Sequence, residues 1–180
     1  MITKTSTFLK SRDGSFIIMT VIIFMVLFPF IFLSLQDITN IYIYSKQLKI
    51  ALDAATKSAC LAMKFDPDKL AQGIVEVTNI SDVQQKFNDV FNANTSNIFN
   101  NSRLAYKGNF IKIYTSTTQA KIPNIGEIPS SITTQTIQVT VTKPSVFAIA
   151  RYDYKTFLFG KSISIIAVST SQHTIKGITP

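Results

Sequence analysis

The sequence predicts an α+β protein, in which a long amino-terminal transmembrane helix continues as a stem into a small head of short helices and an antiparallel β-sheet. Three observations lead to this prediction. An almost unbroken apolar run occupies 16–35, and an apolar stripe at helical spacing continues beyond it. After residue 109 the pattern changes to the alternation of strands. We therefore divide the chain into a cytoplasmic basic leader (1–14), a transmembrane helix and stem (15–64) and an extracytoplasmic head (65–180).

The run Phe16–Leu35 has the length of a membrane span, since 20 helical residues measure about 30 Å. A removed signal peptide is the alternative, but its apolar core is shorter, about 7 to 15 residues, and ends at a small-residue cleavage site. Lys4, Lys10 and Arg12 precede the run, whereas the next basic residue is Lys46. By the positive-inside rule we expect a single-pass protein of the cell membrane, with its amino terminus in the cytoplasm and its head outside.

Proline inside the membrane run has a local consequence. Pro29 removes one backbone donor and clashes with the preceding turn, so a kink is expected near Val26–Pro29. The sequence leaves open whether this kink is a functional joint or a bend without a role.

Beyond Leu35 one face of the helix stays apolar, and no Gly or Pro interrupts it before Phe65. Small side chains line its outer part, at Ala51, Ala54, Ala55, Ala59 and Ala62. Small residues allow another helix or the head to approach closely, so we predict packing there. High helix propensity is the alternative explanation of the alanines.

The first part of the head reads as helix. Asp66 followed by proline predicts a short helix that Gly73 ends. A second helix opens near Ser81, and its core face is predicted to hold Val83, Phe87, Val90 and Phe91. The Asn-, Thr- and Ser-rich stretch 92–102 predicts turns.

The second part of the head reads as strands. The candidates are Phe110–Tyr114, Thr136–Thr142, Val146–Tyr154 and Ser162–Thr170. The last of them is the least one-sided, which predicts a central position in the sheet. Pro123, Gly126 and Pro129 mark a loop between the first two.

The composition argues against catalysis. The chain has one cysteine, Cys60, and one histidine, His173, so an intrachain disulfide and a cysteine-rich zinc site are excluded. With only two glutamates as well, we expect no enzyme activity, no metal and no cofactor. The net charge of +8 comes from dispersed lysines, so no nucleic-acid partner is expected.

The amino-terminal third carries a joined pattern: a basic leader, the Gly14–Ser15 junction, an apolar helix with Pro29, then Asp37 and the box Ala51–Ala55. This arrangement, over about residues 10–64, resembles the TadE/TadG-like proteins of Tad (Flp) pilus assembly systems, which belong with the type IV pilin-like, or pseudopilin, proteins. The resemblance implies a pilin-like fold. It also adds Asp37 and Asp53 to Ala51, Ala54, Ala55 and Ala59 as residues of stem packing.

The resemblance implies a non-enzymatic, single-pass component of a Tad/Flp-type pilus or a related secretion assembly. Its partners would be membrane lipid, other pilin-like subunits and a prepilin peptidase that cuts between Gly14 and Ser15. Pilins have a glutamate five residues after the cut, where this chain has Met19, so the implied role is that of a minor pilin or pseudopilin. The alternative is a membrane-anchored extracytoplasmic binding domain, such as an adhesin or sensor, unrelated to pili.

Overall fold

The computed structural model describes residues 12–174, without the side chains of residues 12–14, 97 and 99. Most of the predicted leader 1–14 and the last six residues of the head lie outside this range. The helices are α1 (Arg12–Leu61), α2 (Pro67–Ala71) and α3 (Ile80–Phe99). The strands are β1 (Leu104–Tyr114), β2 (Ala120–Ile122), β3 (Val139–Val141), β4 (Ser145–Lys155) and β5 (Ser162–Gln172). The predicted combination of a long amino-terminal helix with a small antiparallel sheet is confirmed.

Helix α1 contains 50 residues and is therefore about 75 Å long. It continues through Pro29 without a break. A bend at Val26–Pro29 stays a prediction. The helix ends at Leu61, three residues before the predicted end at Lys64, and α2 begins soon after. As predicted, Asp66 caps α2, because its Oδ1 accepts hydrogen bonds from the backbone N–H groups of Asp68 (2.9 Å) and Lys69 (3.3 Å).

The main sheet has three antiparallel strands in the order β1–β4–β5. The prediction that Ser162–Thr170 is central is wrong, since β5 lies at the edge and β4 at the centre. The physical reason is that β4 is buried on both faces, whereas β5 alternates between buried and exposed positions. Ile163 and Ile166 gave β5 a two-sided apolar pattern, but both side chains are more than one-third exposed.

One face of this sheet forms the main core with the outer half of α1 and with α3. The helix side chains in it are Leu48, Leu52, Ala55, Ala59, Val83, Phe87 and Phe91, and they meet alternate residues of β4: Val146, Ala148, Ala150, Tyr152 and Tyr154. The stem helix supplies part of this core, so the head is folded around it.

The opposite face is covered by the segment between β1 and β4. Its short strands β2 and β3 form a separate two-stranded sheet, and Ile122, Ile132 and Val141 pack on Phe147 and Ile149 of β4. The predicted strand Thr136–Thr142 shortens to Val139–Val141, although its alternation is right, with Val141 buried and Thr140 exposed. Strand β2 lies in the segment predicted to be a loop.

Helix α3 extends well into the stretch 92–102 that was predicted to form turns, and that prediction is wrong over most of its length. The polar side chains are accommodated because they bond back to the preceding helical turn. Asn94 Nδ2 donates to the Val90 carbonyl and Thr95 Oγ1 donates to the Phe91 carbonyl, both at 2.7 Å. Burial of Thr95 and Ile98 then outweighs the turn preference of the composition.

We expect Ala55→Leu to destabilise the head by about 1 to 3 kcal/mol, because Ala55 is fully buried and a larger side chain overpacks a filled core. The measurement is denaturant unfolding of the full chain in detergent, followed by the near-ultraviolet circular dichroism of the tyrosines. Ala93→Leu on the exposed face of α3 is the matched control and should change stability by no more than about 0.5 kcal/mol. Equal effects of the two changes would contradict this packing.

Candidate functional site

The two halves of α1 have opposite surroundings. Every side chain from Val21 to Phe32 is exposed, and this part of the helix is long and apolar enough to cross a membrane. From Asp37 onward one face is buried against the head. The place where these halves meet is the candidate functional site.

Asp37 lies at this junction and is only 6 % exposed. Its carboxylate accepts a hydrogen bond from the Tyr154 hydroxyl at 2.8 Å. The Phe157 N–H donates to both oxygens at 2.9 Å, and the Leu158 N–H donates to Oδ2 at 3.4 Å. Phe157 and Leu158 belong to the turn between β4 and β5 (residues 156–161), here named the β4–β5 turn. A single carboxylate on the helix therefore holds the end of the central strand.

Further polar side chains surround this junction. Asn40 Nδ2 donates to the Tyr154 hydroxyl at 3.3 Å, and the Tyr154 ring lies 5.9 Å from the Tyr44 ring. The Tyr44 hydroxyl accepts a hydrogen bond from Asn101 Nδ2, at the end of α3. Arg103 places its guanidinium 3.4 Å from the centre of the Phe157 ring, a cation–π contact. The helix, α3 and the sheet are thus tied together at one level.

Electrostatics favour the ionised form of Asp37. Burial by itself would raise the pKa of this carboxyl, but the hydrogen bonds from Phe157, Tyr154 and Leu158, with the positive charge of Arg103, outweigh it and lower the pKa below its usual value. Asp37 lies beyond the run Phe16–Leu35, on the head side of the junction. The carboxylate is therefore a charged structural anchor at neutral pH.

A second set of bonds joins α1 to strand β5, farther from the membrane run. The Asp53 carboxylate accepts from Ser169 Oγ at 2.6 Å and from Lys49 Nζ at 2.6 Å. Lys49 Nζ also donates to the Val168 carbonyl at 2.7 Å, and the hydroxyls of Thr56 and Ser169 are 2.8 Å apart. Asp37 and Asp53 therefore hold two different strands on the same helix.

The predicted packing residues take different places. Ala51, Ala55 and Ala59 are buried, whereas Ala54 is partly buried. The described hydrogen bonds of Asp37 are made to the head, and Asp53 bonds both to Ser169 of the head and to Lys49 of α1. Gly14 and Ser15 lie in the first turn of α1, where Ser15 is exposed. Cleavage between them stays a prediction.

Sequence reasoning missed the head residues that meet the two aspartates. Tyr154, Phe157 and Ser169 bond to them, and Arg103 packs on Phe157. All four lie far along the chain from the two aspartates, and nothing in their local pattern pairs them with α1. One available signal was an acid placed two residues after a membrane-length apolar run. Such an acid needs hydrogen-bond donors if it is buried, and exposed backbone at a strand end supplies them.

One face of α1 carries exposed apolar side chains on the side away from the main core. Ile43, Ile50 and Leu61 are 42 %, 61 % and 70 % exposed, and Ala54 lies between the last two. Their spacing of seven, four and seven residues aligns them along one side of the helix. We name this set the lateral stripe of α1.

Comparison of the chain with family models, with curated proteins and with solved structures finds no match. Among residues 12–174, no three His, Cys, Asp or Glu side chains lie together in a way that could hold a metal ion. Cys60 is buried on α1, and burial raises the pKa of its thiol to about 11, so it is a poor nucleophile at neutral pH.

We expect Asp37→Asn to lower the free energy of unfolding by about 2 kcal/mol, because it removes charge-assisted hydrogen bonds. It also turns an amide donor toward backbone donors of the β4–β5 turn. Asp89→Asn on the exposed face of α3 is the control and should be within about 0.5 kcal/mol of the unchanged protein. Denaturant unfolding in detergent gives both values, and a loss no larger than that of the control would argue against the anchor.

The pH dependence of stability should carry the signature of the same carboxylate. Because the pKa of Asp37 is lower in the folded chain than the ordinary value of 3.8, its stabilisation is fully present above that value and disappears as the pH falls through the lower, folded-state pKa. The unchanged protein should therefore lose more stability between about pH 6 and about pH 3 than Asp37→Asn does. Parallel pH profiles of the two proteins would contradict the assignment.

Proposed function

We propose that the chain is a non-enzymatic, single-pass membrane component of a Tad/Flp-type pilus or a related type IV pilus-like secretion assembly, in the role of a minor pilin or pseudopilin. The observation that carries the proposal is the division of α1 into a bare apolar half and a half built into the head core. In a subunit of this form, one helix would both anchor the chain in the membrane and support the head.

The lateral stripe supports packing between subunits. A stripe of Ile43, Ile50, Ala54 and Leu61 at seven- and four-residue spacing suits a neighbouring helix, because the small alanine lets two backbones approach. It lies away from the core, so a neighbour can pack on it without disturbing the head. Other pilin-like stems are the partners that we propose for it.

Localisation follows from the same helix and from the charges around it. The span Phe16–Leu35 would sit in lipid, with the leader in the cytoplasm and the head outside the membrane. A prepilin peptidase acting between Gly14 and Ser15 would meet the chain at the cytoplasmic end of α1. Asp37, which is buried between α1 and the head, makes bonds that hold the fold together, which supports a structural role.

A photoreactive amino acid at Ile50 tests lateral packing in living cells that make the protein. We expect cross-linked products that contain a second copy of the chain or another protein with an amino-terminal apolar helix of membrane length, identified by mass spectrometry. The matched control places the same amino acid at Gln85, on the exposed face of α3, where few such products should form.

Two results would overturn the proposal. One is equal capture of helix-bearing proteins at both positions, which would mean that the lateral stripe has no preference for them. The other is no product at Ile50 together with capture, at Gln85, of a protein lacking such a helix. That second result would favour a membrane-anchored adhesin or sensor.

A further inference from the structure

The β4–β5 turn lies at the membrane end of the head. Strand β4 runs back along α1 toward the membrane, because Ser169, which pairs with Ala148, contacts Thr56, while Phe157 contacts Asp37. Thr56 and Asp37 are 19 residues apart, about 28 Å of helix. Ala148 to Phe157 covers about 30 Å of strand. The two elements thus run side by side over the whole distance.

This alignment places the β4–β5 turn relative to the end of the apolar run of α1. Leu35, the last residue of the apolar run, is two residues and about 3 Å before Asp37. Residues 158–160 extend past Phe157 and so reach the level where the run ends. Leu33 and Ser34, which precede Asp37 on α1, are partly buried, whereas the side chains of Val21–Phe32 are exposed.

The side chains at the tip combine an apolar group with positive charge. Phe159 is 73 % exposed, at the point where the chain reverses. Lys155 and Lys161 flank it and are exposed, and the Lys155 side chain lies alongside Gly160. A bare aromatic ring between lysines suits a membrane interface, where the ring enters the acyl boundary and the ammonium groups meet lipid phosphates.

Hydrogen bonds fix the turn on both sides of Phe159. The Thr156 N–H donates to the Lys161 carbonyl at 2.9 Å, and the Lys161 N–H donates to Thr156 Oγ1 at 3.1 Å. Gly160 has φ +59°, a left-handed conformation that glycine adopts without strain. Phe157 is fixed between Asp37 and the Arg103 guanidinium. Little conformational entropy remains to be lost when the tip meets a surface.

We propose that the β4–β5 turn is a second membrane contact, in which Phe159 enters the interface of the outer leaflet and Lys155 and Lys161 bind its phosphates. The proposal rests on the proposed membrane span of α1. It adds a second point of attachment, which fixes the tilt of the head relative to the bilayer. The occupant of this surface is lipid.

Single tryptophans test the contact, because the chain has none of its own. Three full-chain variants, Phe159→Trp, Ile74→Trp and Phe24→Trp, are reconstituted in vesicles of phosphatidylglycerol and phosphatidylethanolamine. Some of the lipids carry bromine near the head-group end of the acyl chain or near its tail. Ile74 is exposed and lies beyond the far end of α1, so it is the control away from the membrane, and Phe24 reports on the span itself.

We expect shallow bromine to quench Phe159→Trp about threefold more than Ile74→Trp, and deep bromine to quench Phe24→Trp most. Adding Lys155→Glu and Lys161→Glu to Phe159→Trp should reduce its shallow quenching, and so should replacing phosphatidylglycerol with phosphatidylcholine.

Quenching of Phe24→Trp with no difference between Phe159→Trp and Ile74→Trp would overturn the second contact while leaving the span intact. A blue-shifted Phe159→Trp that lipid bromine does not quench would assign the tip to a protein partner, and this also overturns the proposal. Absence of quenching at Phe24→Trp would instead remove the membrane span, and with it the proposed function.

Discussion

The hydrogen bonds from the β4–β5 turn to Asp37 determine where the head begins along α1. Backbone N–H groups at the end of a strand need acceptors, and those of Phe157 and Leu158 lie beside α1 just beyond its apolar run, whose side chains offer no acceptor. Next to lipid, where no water can replace the missing partner, an unpaired backbone N–H costs several kcal/mol. The first acidic side chain after the apolar run provides the acceptor. Farther along α1, contacts from Asp53 and Thr56 to β5 join the helix to the same sheet.

From Asp37 outward, α1 contacts two strands of the sheet, the central strand β4 and the edge strand β5. Alanines on its inner face let the central strand β4 come close, and larger side chains such as Leu48 and Leu52 fill the space between them. Asp53 and Thr56 then hold the edge strand β5. The sheet is joined to the helix at several levels, so a displacement of the helix carries the head with it.

Much of this architecture is readable in the sequence, and the failures have physical causes. Length and hydropathy predicted a long apolar helix, its alanine-lined continuation and an antiparallel sheet, because these patterns are local. The centre of the sheet was misassigned since Ile163 and Ile166 are apolar yet exposed, and no local pattern separates an exposed isoleucine from a buried one. The end of α3 was missed because its Asn and Thr side chains satisfy themselves within the helix. At the candidate site Asp37 was named only as a stem-packing residue, and its partners Tyr154 and Phe157 were not named, since only folding brings residues more than 100 positions apart together.

The covering layer of β2 and β3 leaves the main sheet and returns to it at one place, because Tyr114 and Ser145 are paired neighbours. The 30 residues between them, 115–144, form an insertion between the paired strands β1 and β4. Related chains could therefore exchange this insertion for one of different length and surface while keeping the helix, the sheet and the Asp37 anchor. The condition is that each replacement supplies apolar cover for Phe147 and Ile149. The helix and the main sheet thus form one structural unit, and the segment between β1 and β4 forms a cover that can vary independently of it.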